Sequence, residues 1–222
     1  MSILGEYFLT ILNSLAPQTN ASLLKAKVDS DSYRSFFAER ADSSFSHFSQ
    51  FNIADKVVMD LGCGLGANLP YILEQGAQVV YGLDISEEQL SYTKTNIHRG
   101  SAKSNAVGFV TSDASWMPFL SNSIDAIIAA DTLEHIEGLQ SALRECARVL
   151  KPGGYFYAYF PPYYAPWGAH MVNWINLPWC QVLFSERTIL NVARKLELQG
   201  KSINSHLPPE TKLDLGDGDR IP

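Results

Sequence analysis

The stretch VVMDLGCGLG, residues 57–66, places an apolar run directly before three closely spaced glycines. The apolar run predicts a buried strand over Val57–Leu61. Gly62, Gly64 and Gly66 predict a tight turn after it, because glycine accepts positive φ and lets backbone N–H groups approach a ligand. A glycine-rich turn alone is shared by many nucleotide-binding folds, although the G-x-G-x-G spacing here differs from the G-x-G-x-x-G of dinucleotide sites.

Asp60, which comes just before the turn, narrows the kind of ligand that the turn could hold. A carboxylate at this place would repel a pyrophosphate but suits a ligand amino group. The alternative is a tight turn that holds no ligand. The pattern therefore favours a cofactor that carries an amino group near the glycine-rich loop.

Outside this stretch, short apolar runs alternate with segments of helical periodicity. The predicted strands are Gln78–Asp84, Val107–Asp113, Ile124–Asp131 and Tyr155–Phe160, and the predicted helices are Leu69–Gln75, Ser86–His98, Leu139–Leu150 and Glu186–Gln199. This alternation predicts βαβ units, and hence an α/β, Rossmann-like, doubly wound and mostly parallel sheet. Right-handed crossovers then bring the carboxyl ends of the strands to one edge, where ligands bind.

Residues 139–154, which precede the last predicted strand, predict a helix followed by a turn. Leu139, Leu143 and Cys146 recur at helical spacing, so we expect them on the inner face of the helix, together with Ala147 and Leu150. Lys151-Pro152-Gly153-Gly154 should end the helix and form a turn before the strand starts at Tyr155.

Besides the aspartate before the glycine-rich loop, an aspartate also ends each of the next three predicted strands. Asp84 closes the second strand, where an acidic side chain can accept hydrogen bonds from ribose hydroxyls. Asp113 closes the third strand and Asp131 the fourth. Any one of them could be a helix cap or a turn former. Together with Asp60 they would place four carboxylates at one edge of the sheet, which predicts a binding site there.

Five ordered motifs carry a resemblance to a known family: VVMDLGCGLGANLPYIL, YGLD, SDASWMPF, SIDAIIAADTLEHI and LRECARVLKPGGYFYAYF. Over roughly residues 53–160 the chain resembles class I S-adenosylmethionine-dependent methyltransferases. The resemblance implies S-adenosyl-L-methionine as cofactor. It also implies that the loop Gly62–Gly66, including Cys63 and Gly64, contacts the methionine moiety and the ribose, with Asp60 holding the amino group.

The same resemblance assigns the other residues at the sheet edge. Asp84 would grip both ribose hydroxyls, with Ile85 beside it in the cofactor site. Asp113 and the backbone of Ala114 would recognise the adenine, which Trp116 would border. Asp131 and Thr132 would lie nearest the transferable methyl group.

A neutral acceptor would have to lose a proton during methyl transfer, and two histidines are candidates for accepting it. His135 follows the fourth strand, and His170 lies in the segment after the fifth. A structural role is the alternative for each. Asp131, Glu134 and His135 also resemble an element that binds a divalent ion in some relatives, with His170 completing the set, but we predict no metal.

Composition limits the partners of the protein. A net charge of -6 without a Lys/Arg cluster disfavours a nucleic-acid groove. No apolar run approaches the ~20 residues that span a bilayer. The three cysteines form no close pair, which fits a reducing cytoplasm. We expect a small-molecule substrate, and a possible homodimer or peripheral contact through the aromatic segment that follows the fifth strand.

The predicted organisation is an N-terminal helical cap over residues 1–52, a cofactor-binding domain over 53–199 with an aromatic lid at 161–186, and a polar tail over 200–222. The antiparallel hairpin that usually ends this kind of sheet is missing or degenerate. The predicted function is methyl transfer from S-adenosylmethionine to a small-molecule acceptor. The alternatives are a truncated relative that binds cofactor but is catalytically impaired, and a dinucleotide-dependent oxidoreductase.

Overall fold

The computed structural model describes residues 2–16, 51–97, 106–160, 162–166 and 171–202. The chain divides into two compact units, one made of residues 34–160 and the other of residues 1–33 with 161–222. The predicted domain boundaries at 52 and 199 stay predictions. The helix at 186–198, which we expected in the cofactor-binding domain, packs within the second of these units.

The described helices and strands largely follow the predicted order. In the 34–160 unit they are β1 Val57–Leu61, α2 Leu69–Glu74, β2 Val79–Asp84, α3 Glu87–Ile97, β3 Val107–Thr111, β4 Ile124–Ala130, a 3-10 turn Leu133–His135, α4 Leu139–Val149 and β5 Leu150–Tyr159. In the other unit they are α1 Ser2–Leu15, a 3-10 turn Met171–Asn173, α5 Cys180–Leu183 and α6 Glu186–Leu198.

The five strands form one sheet in the order β3-β2-β1-β4-β5, and every pairing is parallel. This confirms the predicted α/β, Rossmann-like fold. The strand order reverses between β1 and β4, and such a switch point opens a crevice at the carboxyl ends of the strands. Leu61 pairs with Leu83 and Asp84 with Thr111, so these strand ends lie at the same edge. In the described part of the chain, no antiparallel hairpin joins the sheet.

Apolar side chains cover both faces of the sheet, as a parallel sheet requires. On one face Val58, Val80 and Ile128 pack against α2 and α3. On the other face Met59 and Ile127 pack against α4. The central strands β1 and β4 are therefore largely apolar, and each contains one charged residue: Asp60 near the end of β1 and Asp125 near the start of β4.

The inner face of α4 differs from the prediction. Ala142, Cys146 and Val149 are buried, whereas Leu139 and Leu143 are 38% and 40% exposed. The prediction centred the apolar stripe on the leucines. Packing instead selects the smaller residues at i, i+4 and i+7, because they let the helix lie close to the sheet.

The start of β5 also differs from the prediction. The strand begins at Leu150, and the turn expected at Lys151–Gly154 is a bulge within it. Ile124 pairs with Leu150 and Ala126 with Tyr155, so β5 has the extra residues. Gly153 has a φ of 78°, and a Cβ on Gly154 would lie 2.9 Å from the Asp125 carbonyl oxygen. The glycines therefore allow a bulge at the place where the sequence pattern predicts a break.

In the other unit, α1 packs on α6 through its more polar side. Leu9 is fully buried, and Asn191 donates a 2.8 Å hydrogen bond from Nδ2 to Glu6 Oε1. Large apolar residues, including Leu4 and Tyr7, are exposed on the opposite face of α1. Only part of the predicted N-terminal cap is thus described, since residues 17–50 lie outside the described ranges. None of the described helices is long and apolar enough to cross a membrane.

The aromatic segment that we predicted to be a lid is described at 162–166 and from 171 onward. A buried side chain links its two parts: Gln181 Nε2 donates to the carbonyl oxygens of Tyr163 and Ala165 at 2.7 and 2.8 Å. A buried amide with two acceptors favours one conformation of this segment. Its role as a lid stays a prediction.

Candidate functional site

The glycine-rich loop is fastened to the end of β2 by its own backbone. The N–H groups of Gly62 and Cys63 both donate to the Leu83 carbonyl oxygen, at 2.8 and 3.1 Å. The N–H of Gly64 donates to Asp84 Oδ2 at 2.8 Å. The loop and the β2 carboxylate therefore form one rigid edge at the point where the strand order brings β1 and β2 together.

Two glycines of the loop have no room for a side chain. Gly62 has a φ of 71°, and a Cβ there would lie 2.3 Å from Thr132 Cγ2. Gly66 has a φ of 72°, and its Cβ would lie 2.4 Å from Thr93 Cγ2. Both the conformation and the contact thus require glycine.

The Cys63 side chain turns beneath the loop rather than outward. It is 6% exposed, and its Sγ would be 2.9 Å from a Cβ on Gly82. Burial, with the nearby charges of Asp60 and Asp84, raises the pKa of the Cys63 thiol well above its usual range. The thiol is therefore protonated and packs as a small apolar group.

Asp60 has the most unusual environment in the site. It is 1% exposed, and neither carboxylate oxygen has a hydrogen bond of normal geometry with a donor in the described ranges, although the Asn68 side chain approaches it. Burial raises the pKa of Asp60 to about 7, the neighbouring Asn68 side chain offsets part of this increase, and the charge of Asp84 adds to it. A buried carboxylate with both oxygens unpaired is costly unless a cation meets it.

Asp84 lies at the carboxyl end of β2, as predicted. Its Oδ2 accepts from Gly64 and its Oδ1 accepts from the N–H of Ser86 at 2.9 Å. Each carboxylate oxygen can accept a second hydrogen bond, so capacity for ligand hydroxyls remains. Ile85, next in the chain, is 72% exposed.

Asp113 follows β3, which ends two residues earlier than predicted. Ser112 closes the strand by donating from its N–H to the Asp84 carbonyl oxygen at 3.0 Å. Ser115 donates to Asp113 Oδ1 from both its hydroxyl and its N–H, and these bonds hold the pKa of Asp113 below its usual range. Trp116 is 79% exposed beside it.

Ala114, the second residue predicted to recognise the adenine after β3, is half-buried. It packs against the apolar cluster that contains Leu61 and Leu83. Its side chain therefore belongs to the core, and its backbone is the part of it that a ligand could contact at this edge.

β4 ends at Ala130, one residue before the predicted boundary, because Asp131 has a φ of 50°. The Asp131 N–H donates to the Tyr159 carbonyl oxygen at 2.7 Å. Thr132 is buried, and its hydroxyl donates to the Leu61 carbonyl oxygen at 3.0 Å. This places the residues after β4 directly against the glycine-rich loop.

Of the two candidate bases, His135 and His170, the structure describes the first. His135 is exposed at the end of the 3-10 turn, and its N–H donates to the Thr132 carbonyl oxygen at 3.0 Å. His170 lies outside the described residues. Over the described ranges, no group of three or more His, Cys, Asp or Glu residues could hold a metal ion.

Thr93 on α3 supports the loop but was not singled out from the sequence. Its hydroxyl lies 3.1 Å from the Gly64 carbonyl oxygen and 2.9 Å from that of Gln89. The sequence pattern could have identified Thr93, since it falls on the apolar stripe of the helix between Leu90 and Ile97. A polar residue on a buried helix face indicates a specific partner.

Residues 59–158 match the model of a family described as a methyltransferase domain. A sterol 24-C-methyltransferase of Gibberella zeae is 35% identical over 124 residues, which are 54% of this chain and 32% of that protein. A methyltransferase of Streptomyces halstedii is 31% identical over 116 residues, which are 52% of this chain and 38% of that protein. The chain thus spans about a third of the length of these two relatives.

Solved structures are similar over part of the chain. An S-adenosylmethionine-dependent methyltransferase from Mesorhizobium loti has a TM-score of 0.48 and 25% identity, and covers 59% of each chain. A methyltransferase from Aquifex aeolicus has a TM-score of 0.46 and 26% identity, over 59% of this chain and 67% of that one.

Proposed function

We propose that the chain is a class I S-adenosylmethionine-dependent methyltransferase and that it transfers the methyl group of this cofactor to a small-molecule acceptor, since residues 59–158 match the methyltransferase-domain model. The observation that carries the proposal is Asp60, a buried carboxylate in β1 that has no hydrogen bond of normal geometry among the described residues and lies two positions before Gly62. S-adenosyl-L-methionine supplies an α-ammonium group that would pair with it. The uncharged groups or the pyrophosphate of a dinucleotide cofactor would leave this carboxylate without a positively charged partner.

The remaining residues at the sheet edge fit the other parts of the cofactor. Asp84 can accept from the two ribose hydroxyls with the lone pairs that Gly64 and Ser86 leave over. Asp113 has its Oδ2 available for the adenine amino group while Ser115 occupies Oδ1. The exposed side chains of Ile85 and Trp116 would flank the adenine ring.

The chemistry of the bound cofactor is that of an electrophilic methyl group on a sulfonium. The protein then has to align an acceptor atom with the S–CH3 bond, and orientation of this kind can supply roughly 7–11 kcal/mol of the barrier. Asp131 and Thr132 follow β4 beside Gly62, and we assign them to the end of the site nearest the methyl group.

His135 and His170 remain our two candidates for the base that takes the acceptor proton. Alanine at the true base should lower kcat by about 10²–10⁴ at unchanged cofactor affinity. Alanine at the other position should leave kcat within a few-fold of the wild-type value. Loss of cofactor affinity in either variant would assign that histidine a binding role instead.

A binding experiment tests the proposed function. Calorimetry with S-adenosylhomocysteine and with nicotinamide dinucleotides should show binding of the former alone. The variant Asp84→Asn keeps the size of the side chain but removes its charge, and we expect it to weaken binding by about 1.5–3 kcal/mol. A preference for a nicotinamide dinucleotide would contradict the proposal and support the oxidoreductase alternative.

Methyl transfer itself needs a second measurement. Incubation with cofactor that carries a labelled methyl group and a metabolite extract, followed by intact-mass profiling, should reveal an acceptor that gains one labelled methyl. Binding of the cofactor without transfer to any fraction would support the catalytically impaired alternative. Because the relatives above include a sterol 24-C-methyltransferase, the extract should contain its lipid fraction.

We also propose a cytoplasmic location, which the three free and buried cysteines support. The expected homodimer or peripheral contact through the aromatic segment is retained as part of the proposal. Tyr164 and Trp179 in this segment are 74% and 47% exposed, so the segment has apolar surface to offer a partner. Sedimentation of the protein at rising concentration would distinguish a monomer from a dimer.

A further inference from the structure

An ion pair on α4 holds the loop between β3 and β4. Glu145 and Arg148 lie one helical turn apart, and their side chains are 17% and 35% exposed. Two parallel hydrogen bonds join them, from Arg148 Nε to Oε1 at 2.7 Å and from Nη2 to Oε2 at 2.8 Å. This bidentate geometry fixes the plane of the guanidinium group.

The pair binds both backbone groups of Met117. The Met117 N–H donates to Glu145 Oε2 at 2.8 Å, and Arg148 Nη2 donates to the Met117 carbonyl oxygen at 2.9 Å. Arg148 Nη1 also donates to the Phe119 carbonyl oxygen at 2.8 Å. One guanidinium thus joins a carboxylate and two carbonyls, which the single ammonium of a lysine could not do with the same geometry.

The clamped loop carries the residues that we assign to adenine. Trp116 immediately precedes Met117, and its carbonyl oxygen accepts from the Ser112 hydroxyl at 2.7 Å. Its N–H donates to the Asp113 carbonyl oxygen at 3.0 Å. Because the Trp116 ring is mostly exposed, its position is set by the backbone on both sides rather than by packing of the ring.

We propose that Glu145 and Arg148 are positioning residues for adenine recognition: they hold the backbone of Met117 so that Asp113 and Trp116 face the adenine ring. This inference rests on the proposed function, since it presupposes the cofactor. The hydrogen bonds of both side chains go to each other and to the loop, so their role would not require contact with the cofactor. Their effect passes through the loop, and it should therefore appear as a loss of selectivity for adenine.

The test compares S-adenosylhomocysteine with S-inosylhomocysteine, in which a carbonyl replaces the 6-amino group of adenine. Asp113 can accept from the amino group but not from the carbonyl, so the wild-type protein should prefer the adenine compound by about tenfold or more in calorimetry. In Arg148→Gln we expect weaker binding of S-adenosylhomocysteine and a preference reduced to about twofold or less.

Lys151→Gln is the matched control. It also removes one positive charge from an ion pair of the same unit, the 2.8 Å contact between Lys151 Nζ and Asp125 Oδ1, but that pair does not touch the loop. It should lower thermal stability without changing the preference. If Arg148→Gln fails to fold, Arg148→Lys keeps the charge and most of the length of the side chain, and it should show the same loss of preference.

The outcomes separate the two ideas. A folded Arg148 variant that keeps the wild-type preference would overturn the positioning role and leave the proposed function intact. A wild-type protein without any preference for adenine would also overturn it. A wild-type protein that binds neither compound would overturn the proposed function, and the positioning role with it.

Discussion

At the scale of single residues, the burial of Asp60 makes a prediction about pH. A pKa of about 7 in the folded protein lies above the value of ~3.9 in an unfolded chain. The folded state therefore holds its proton more tightly, and stability falls as the pH rises from about 4 to about 7. Between pH 5 and pH 7.5 this single group should lower the free energy of unfolding by roughly 2–3 kcal/mol.

Urea unfolding of the free protein and of Asp60→Asn at both pH values measures this cost. The substitution keeps the shape of the side chain but cannot ionise, so the variant should lose most of the pH dependence. Asp113→Asn is the control, since the pKa of Asp113 is lowered and that carboxylate is already ionised throughout the window. Equal pH dependence in wild type and Asp60→Asn would contradict the assignment.

The cofactor should reverse the effect of pH on Asp60. An ammonium group favours the ionised carboxylate, so the affinity for S-adenosylhomocysteine should increase as the pH rises through about 7. Asp60→Asn should bind it more weakly and with little dependence on pH.

At the scale of helices and strands, packing of α4 against the sheet makes the next prediction. Val149 is fully buried, whereas Leu143 is 40% exposed. We expect Val149→Ala to cost about 2 kcal/mol, because it leaves a cavity against β4 and β5. Leu143→Ala removes the larger side chain but should cost less than about 1 kcal/mol. The order would be reversed if the leucines formed the inner face, and thermal unfolding of the two variants decides between them.

The strands and helices also show which parts of the fold a sequence pattern can predict. β1 was predicted at its observed bounds because both of its faces are buried and glycines follow it. The bulge in β5 was missed because Pro152-Gly153-Gly154 is typical of a turn in sequence, and pairing with β4 overrides that preference. The face of α4 was placed wrongly because three leucines outweighed the smaller Ala142 in the apolar pattern.

The site divides in a similar way. Asp84, Asp113 and Asp131 could be placed at one edge from their position after apolar runs, whereas the roles that the family resemblance implies for them stay predictions. The sequence could not predict that the Asp60 carboxylate is buried without a hydrogen bond of normal geometry, since this depends on which side chains of other elements approach β1. The contact of Arg148 with the β3–β4 loop joins residues 117 and 148, and no local pattern carries that information.

At the scale of the whole molecule, the proposed cofactor-binding residues all fall in the unit made of residues 34–160. Saturation with S-adenosylhomocysteine at 100 times its dissociation constant should stabilise the protein by about 2.7 kcal/mol. Hydrogen exchange should slow most in peptides covering residues 59–66, 83–90 and 111–117. Slowing confined to α6, in the other unit, would contradict the assigned site.

The contact between Gly62 and Thr132 has a consequence for how this protein can vary. A side chain at position 62 would enter the space of Thr132 Cγ2, so the two positions share one small volume between β1 and β4. Their substitutions should be epistatic: Thr132→Ser, which removes that methyl group, should soften the penalty of Gly62→Ala without abolishing the cost of its positive φ. A chain that drifts at position 132 first therefore has a route to change its cofactor loop, whereas one that changes position 62 first does not.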